Sequence, residues 1–258
     1  MKVVLLAGGY GTRLSEETEI KPKPMVEIGG KPILWHIMKI YSFYGFNDFI
    51  ICLGYKGYVI KEYFANYFLH MADVTFDVEK NEMMVHNRHA EPWKVTLVDT
   101  GYGTMTGGRI KRVMDYIGVN TFMATYGDGV SDVDIDMLLQ RHQASGRIAT
   151  LTAVQPTGRF GSVDIGERDL IRNFVEKPRD SGIWSNAGFF VFESEVFNYI
   201  EGDECSLEKQ ILVHLANERQ LTSFRHEGFW KPMDTLRDKH ELSELWASER
   251  PPWKKWDG

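Results

Sequence analysis

Two hydrophobic rhythms alternate along the chain. Apolar runs of strand length recur at KVVLLA (residues 2–7), DFIICLG (48–54), KVTLVD (94–99), TFMATYG (121–127), IATLTAV (148–154) and AGFFVF (187–192). Between several of them, residues 32–45, 57–70, 108–118, 134–146 and 207–220 place apolar side chains at helical spacing. This alternation predicts an α/β fold with a mostly parallel sheet, because parallel neighbours need a crossover long enough to hold a helix. The first helix has Pro32 near its start and Gly45 as its C-cap. Around residues 73–90 the rhythm breaks into mixed alternation about a Lys-Asn pair, which reads as a hairpin excursion. Neither an internal repeat nor a Pro-, Gly- or Ser-rich linker interrupts the pattern, so no domain boundary is visible. The ending ERPPWKKWDG is read as a surface segment held by its two tryptophans.

Composition narrows the chemistry. A chain of 258 residues with 43% hydrophobic and 26% charged positions can bury a substantial core. Apolar runs stay well short of the roughly 20 residues that span a bilayer, and the one after Lys2 is too short for a secretion signal. A cytoplasmic location without membrane contact is therefore expected. The net charge of −6 speaks against nucleic acid as a partner, which would call for a basic stripe, so any phosphate binding should be local. With Cys52 and Cys205 as the only cysteines, a disulfide framework or cysteine zinc site is not expected, and both read as buried thiols. The histidines form no HExxH pattern; HNRH at 86–89 reads as surface hairpin. Nothing resembles a G-x-S-x-G or Cys–His nucleophile.

The first strand runs into LAGGYGTRL, a turn that fails both common phosphate motifs. A P-loop would need Lys followed by Ser or Thr at fixed spacing from Gly8, and the dinucleotide fingerprint fits Gly9 and Gly11 but meets Leu14 at its third position. What remains is a glycine-rich run, Leu6, Ala7, Gly8, Gly9, Tyr10, Gly11 and Thr12, whose small residues let the backbone approach phosphate oxygens, with Arg13 as a permanent cationic fork. That combination suits a nucleoside triphosphate. Further on, KPKPM presents Lys21 and Lys23 separated by prolines expected to keep the segment extended and out of any helix. A solvated loop is one reading; a second cation for the triphosphate is the other. Asp128 follows a strand in YGDGVSD and Asp234 lies in FWKPMDT. Each could be a turn or helix-cap residue, Asp234 for a helix near Leu236, or an oxygen ligand of Mg²⁺.

Taken together, LAGGYGTRL, KPKPMVEIGGKPIL, YGDGVSDVD, FVEKP, NAGFFVF and FWKPMDT resemble the ordered signature of the sugar-phosphate nucleotidyltransferases, essentially end to end. The resemblance implies a Rossmann-like nucleotidyltransferase fold, α/β with a mixed, mostly parallel central sheet flanked by helices, in a single domain. Its first half, to about residue 130, would bind nucleotide, and its second half, about 131–258, the sugar phosphate. It assigns Arg13, Lys23 and Asp128 to catalysis and Asp128 with Asp234 to Mg²⁺. The nucleotide would meet residues 6–13, Lys23, Thr104, Gly107 and Arg109; the sugar phosphate would meet Tyr126, Gly127, Glu176, Lys177, Asn186 and Gly188. The loop YGTMTGGRI resembles that of cytidylyl-transferring members, which implies CTP as donor and glucose 1-phosphate as acceptor. Likeness to oligomeric enzymes, with aromatics in the hairpin region, implies a homo-oligomer, a hexamer being one candidate form. The competing readings are another nucleotide or sugar phosphate, or a non-catalytic nucleotide sensor. Loss of Arg13, Lys23, Asp128 or Asp234 would have favoured the sensor, and all four are present.

Overall fold

A strand buried on both faces needs apolar side chains at every position, and the opening run meets that demand: Val3 and Leu5 enter one core cluster while Val4 and Leu6 enter the other. The computed structural model describes residues 1–86, 90–156, 162–165, 171–175 and 183–256. Seven strands form the central sheet: β1 (Lys2–Leu6), β2 (Asp48–Leu53), β3 (Lys94–Asp99), β4 (Phe122–Tyr126), β5 (Ala149–Val154), β6 (Ser185–Phe192) and β7 (Leu221–His226). Their spatial order is β7-β5-β6-β4-β1-β2-β3. Every neighbouring pair is parallel except those of β6, which runs antiparallel to both β5 and β4. The mixed, mostly parallel sheet expected from the sequence is thus observed.

Helices α1 (Ile33–Phe43), α2 (Gly57–Ala65), α3 (Thr106–Arg112), α4 (Ile135–Ser145), α5 (Leu212–Asn217) and α6 (Leu236–Ala247) are among those that cover the sheet. The core on one face takes apolar residues of α1, α2, α4 and α6, while α3 and α5 contribute to the core on the other. Pro32 precedes the first residue of α1, as expected; the C-cap is Tyr44, and the expected Gly45 follows it at φ +83°, donating its N–H to the Ser42 carbonyl. The hairpin forms as well, with Asp73–Asp77 paired to Glu82–His86. Of the HNRH run, residues 87–89 lie outside the described residues. No helix among the described residues is long and apolar enough to cross a membrane.

Several local expectations are corrected. The helix expected over 57–70 breaks at Asn66, whose side chain and backbone N–H both donate to the Glu62 carbonyl. The one expected over 108–118 breaks at Val113. In KPKPM, Pro22 is extended, but Lys23–Met25 closes into one 3₁₀ turn. Pro24 is tolerated there because the first turn of a helix leaves its N–H groups unpaired anyway. Strand β7 escaped the sequence reading because LTSFRH carries few apolar residues. The two C-terminal tryptophans do hold the tail, as expected: Trp253 is fully buried, and Trp256 joins it against α1.

Candidate active site

The carboxyl ends of β1 and β4 open into a cleft of about 420 Å³. Its floor is the turn after β1, every residue from Leu6 to Thr12. Lys23 and Pro24, Thr104 and Arg109 at the start of α3, and Tyr126, Gly127 and Asp128 after β4 complete most of the wall. One open edge is aromatic, with the Tyr10 ring 5.0 Å from Tyr102 and 6.0 Å from Tyr55.

At one side of the cleft, the Lys23 Nζ donates to Asp128 Oδ2 and to Asp234 Oδ1, each at 2.7 Å. A two-stranded ribbon brings the two acids together: Gly129–Ser131 pairs antiparallel with Trp230–Pro232, and the Met233 N–H donates to the Asp128 carbonyl at 2.8 Å. Neither aspartate caps a helix. Asp134 caps α4, and Thr235 caps α6 in a reciprocal box with Asp238. Both carboxylates are therefore turned to Lys23. Burial pushes the Lys23 ammonium down, but the charges and hydrogen bonds of Asp128 and Asp234 outweigh it and hold the group above the ordinary lysine value. Two anionic oxygens around one point make a hard donor pair of the kind Mg²⁺ takes, so the residues fit that ion. Since no group of three or more His, Cys, Asp or Glu among the described residues could hold a metal, phosphate oxygens or water would have to complete its shell.

On the opposite wall Arg109 is buried, 4% exposed. Its Nη1 donates to the Leu53 and Gly101 carbonyls and the Thr100 hydroxyl, and its Nη2 to the Gly8 and Tyr102 carbonyls. The guanidinium thereby ties the glycine turn to the loop before α3. A Cβ at Gly8 would lie 2.2 Å from Nη1, so the residue must be glycine for the strut to fit. Desolvation lowers the Arg109 pKa without threatening its charge.

Towards β6, Asn186 Nδ2 donates to the Tyr126 hydroxyl at 3.3 Å and Asn186 Oδ1 accepts from the Gly188 N–H at 2.8 Å. Gly188 has φ +82°, and a Cβ there would strike the Tyr126 ring at 2.3 Å. The predicted residues are not all gathered here. Gly107 faces away from the cleft, where a Cβ would strike Ile211 and the Cys205 carbonyl, so it serves helix packing. The backbone of Arg13 lies in the Thr12–Leu14 turn, while its side chain, and all of Glu176 and Lys177, lie outside the described residues. Sequence reading missed Gly103, Met105, Thr106 and Glu208, which also line the cleft. Glu208 sits in a stretch with ordinary helical spacing and gave no local signal.

The cleft thus joins a glycine turn at the strand ends to a lysine bracketed between two acids. The family model described as Nucleotidyl transferase matches residues 2–247, and the chain belongs to that family. It is 58% identical, over the full length of both chains, to the glucose-1-phosphate cytidylyltransferase of Salmonella typhi. It is 32% identical to the mannose-1-phosphate guanyltransferase of Saccharomyces cerevisiae, over 94% of this chain and 63% of that one. The solved structure of HddC from Yersinia pseudotuberculosis complexed with GMP-PN matches with a TM-score of 0.67 and 25% identity, covering 95% of this chain and 99% of that one.

Proposed function

We propose that the protein condenses CTP with α-D-glucose 1-phosphate to give CDP-glucose and pyrophosphate. The observation that carries the reaction class is Lys23 held between Asp128 and Asp234 beside the glycine turn. Full-length identity to the Salmonella typhi cytidylyltransferase supports CTP and glucose 1-phosphate; the more distant yeast relative is named for another base and another sugar.

The attacking group is a phosphate oxygen of the sugar phosphate, already ionised near neutral pH, so no general base is needed. It bonds to the α-phosphorus of CTP as the bond to the β-phosphate oxygen breaks, and pyrophosphate leaves. The residues contribute position and charge. The turn from Gly8 to Thr12 receives the triphosphate, Arg13 and Lys23 stabilise charge on the α-phosphate and leaving pyrophosphate, and Arg109 keeps the turn rigid. Lys177 aims the phosphate of glucose 1-phosphate, with Glu176 and Asn186 on the sugar. Asp128 and Asp234 would hold Mg²⁺ together with the triphosphate, where the ion would neutralise phosphate oxygens. Exposed Phe68, Phe76, Met83 and Met84 on and beside the hairpin support a homo-oligomer; light scattering after gel filtration measures it. The reading places the enzyme in the cytoplasm.

Pyrophosphate release, measured with glucose 1-phosphate and each of CTP, UTP, dTTP, ATP and GTP, tests the assignment. CTP should give the highest kcat/KM. A preference for UTP or dTTP would overturn the cytidylyl assignment and leave nucleotidyl transfer standing.

A further inference from the structure

Glu208 has no part in the reaction as derived, yet it belongs to the cleft wall, between the start of α3 and Tyr126. It sits in Leu207–Ile211, a single π-helical turn capped by the Ser206 hydroxyl. Such turns are uncommon and frequently mark functional positions. Its Oε1 accepts from the Tyr126 hydroxyl at 2.6 Å, and its Oε2 accepts from the Thr106 and Ser206 hydroxyls, both at 2.8 Å. Desolvation pushes the carboxyl up, but those hydrogen bonds outweigh it and leave the group below the usual carboxylate range, an anion at neutral pH. No cation pairs with it among the described residues.

An unpaired carboxylate is an odd lining for a cleft that takes up two phosphorylated substrates. It repels their phosphates, so it is useful only towards a part of a substrate that donates hydrogen bonds. Oε2 takes two side-chain hydroxyls and Oε1 one, so Oε1 is the oxygen with a position for an incoming donor. The three bound hydroxyls also fix the direction in which that last position points. Tyr126, the shared partner of Glu208 and Asn186, links this anion to the β6 edge of the cleft.

We infer that Glu208 is a specificity residue that accepts a hydrogen bond from a hydroxyl of a substrate sugar ring, in a position set by Tyr126, Thr106 and Ser206. The ring is either the hexose of the sugar phosphate or the ribose of the nucleotide. The inference rests on the substrates proposed above, and wild-type kinetics with CTP and glucose 1-phosphate test that reading by itself. If another pair proves to be the substrates, the same experiment is run on that pair.

The test crosses Glu208→Gln with substrates that lack one hydroxyl: the 2-, 3-, 4- and 6-deoxy forms of glucose 1-phosphate in one arm, and 2′- and 3′-deoxy-CTP in the other. For one analogue the wild type should lose at least about tenfold in kcat/KM, whereas Glu208→Gln, already weakened towards the parent sugar, should lose about threefold or less for the same deletion. The effect should fall on KM more than on kcat, and Glu208→Asp, which keeps the anion, should regain part of the wild-type sensitivity. The arm that shows the coupling names the ring. Equal penalties in wild type and Glu208→Gln for every analogue would overturn the inference, as would a variant that changes only the preference for CTP over UTP. Melting temperature measured alongside exposes a purely structural defect, which would lower stability and leave the analogue penalties uncoupled.

Discussion

Two buried cations line one cleft, and their partners differ in kind. Lys23 is bracketed by two carboxylates, whereas Arg109 reaches four carbonyls and a hydroxyl. An ion pair can be exchanged when a more highly charged partner arrives, because phosphate or metal replaces what is given up. A guanidinium fork taken up by carbonyls and a hydroxyl has no such exchange on offer: any movement breaks several of those hydrogen bonds at once. Similar burial thus goes with an exchangeable ion pair at Lys23 and a strut at Arg109. A third buried base completes the contrast. His36 lies beneath Trp246 and Trp253, with its ring proton placed on Nε2 by the Ile28 carbonyl at 2.9 Å. Desolvation lowers its pKa to about 4, and nearby Lys31 opposes protonation too. It is therefore neutral where Lys23 and Arg109 are charged.

The sharpest way to break the contrast is at the acids. Asp128→Asn and Asp234→Asn should each cut turnover by at least about a hundredfold, since each removes an anionic oxygen from the Lys23 cluster and the proposed Mg²⁺ position, and chelation should abolish wild-type activity. A near-normal rate at saturating Mg²⁺ would remove that residue from the site. Next comes the strut. Arg109→Lys cannot span the same acceptors, so stability should fall by about 2 kcal/mol or more, with kcat/KM for CTP falling about tenfold as the glycine turn loosens. A drop in kcat/KM with an unchanged melting temperature would instead make Arg109 a ligand group.

The neutral base offers a pH test. Below pH 6.5 the unfolded chain protonates His36, and the folded chain resists until about pH 4, so stability is lost as pH falls through that window. Between pH 7 and 5 the loss from this group should be about 2 kcal/mol, read from urea unfolding, and His36→Gln should lack it. An unchanged slope in the variant would show that other groups carry the acid sensitivity. The smallest effect separates Asp234 from its neighbour: Thr235→Ala should cost about 1 kcal/mol of stability through the lost cap, with turnover within about threefold of wild type. A large loss of activity there would mean that the cap and the acid act as one unit.

Much of this was legible in the residues themselves. Strands β1 to β6 announce themselves as apolar runs of strand length, β3 among them although it is an edge strand; β7, at the other edge, does not, because LTSFRH carries few apolar residues. The turn from Leu6 to Thr12 could be read as a phosphate site because closeness to a ligand is a local property of small residues. Lys23 could be flagged from its place between prolines, although its 3₁₀ turn could not. Asp128 and Asp234 were open to a capping role until the helices were seen to have other caps. Gly107 and Glu208 were misjudged or missed for one reason, that neither carries a local sign of which way it faces.

By itself, then, the sequence determined the sheet, the helices that cover it and the chemistry of the first turn, since periodicity and backbone freedom act over a few neighbouring residues. Only the tertiary structure decided that Asp234 would reach Lys23, that Arg109 would brace Gly8 instead of standing free, and that Glu208 would turn its carboxylate into the cleft. Those contacts join segments far apart in the chain, and their energies depend on burial and on partners that no local stretch of residues contains.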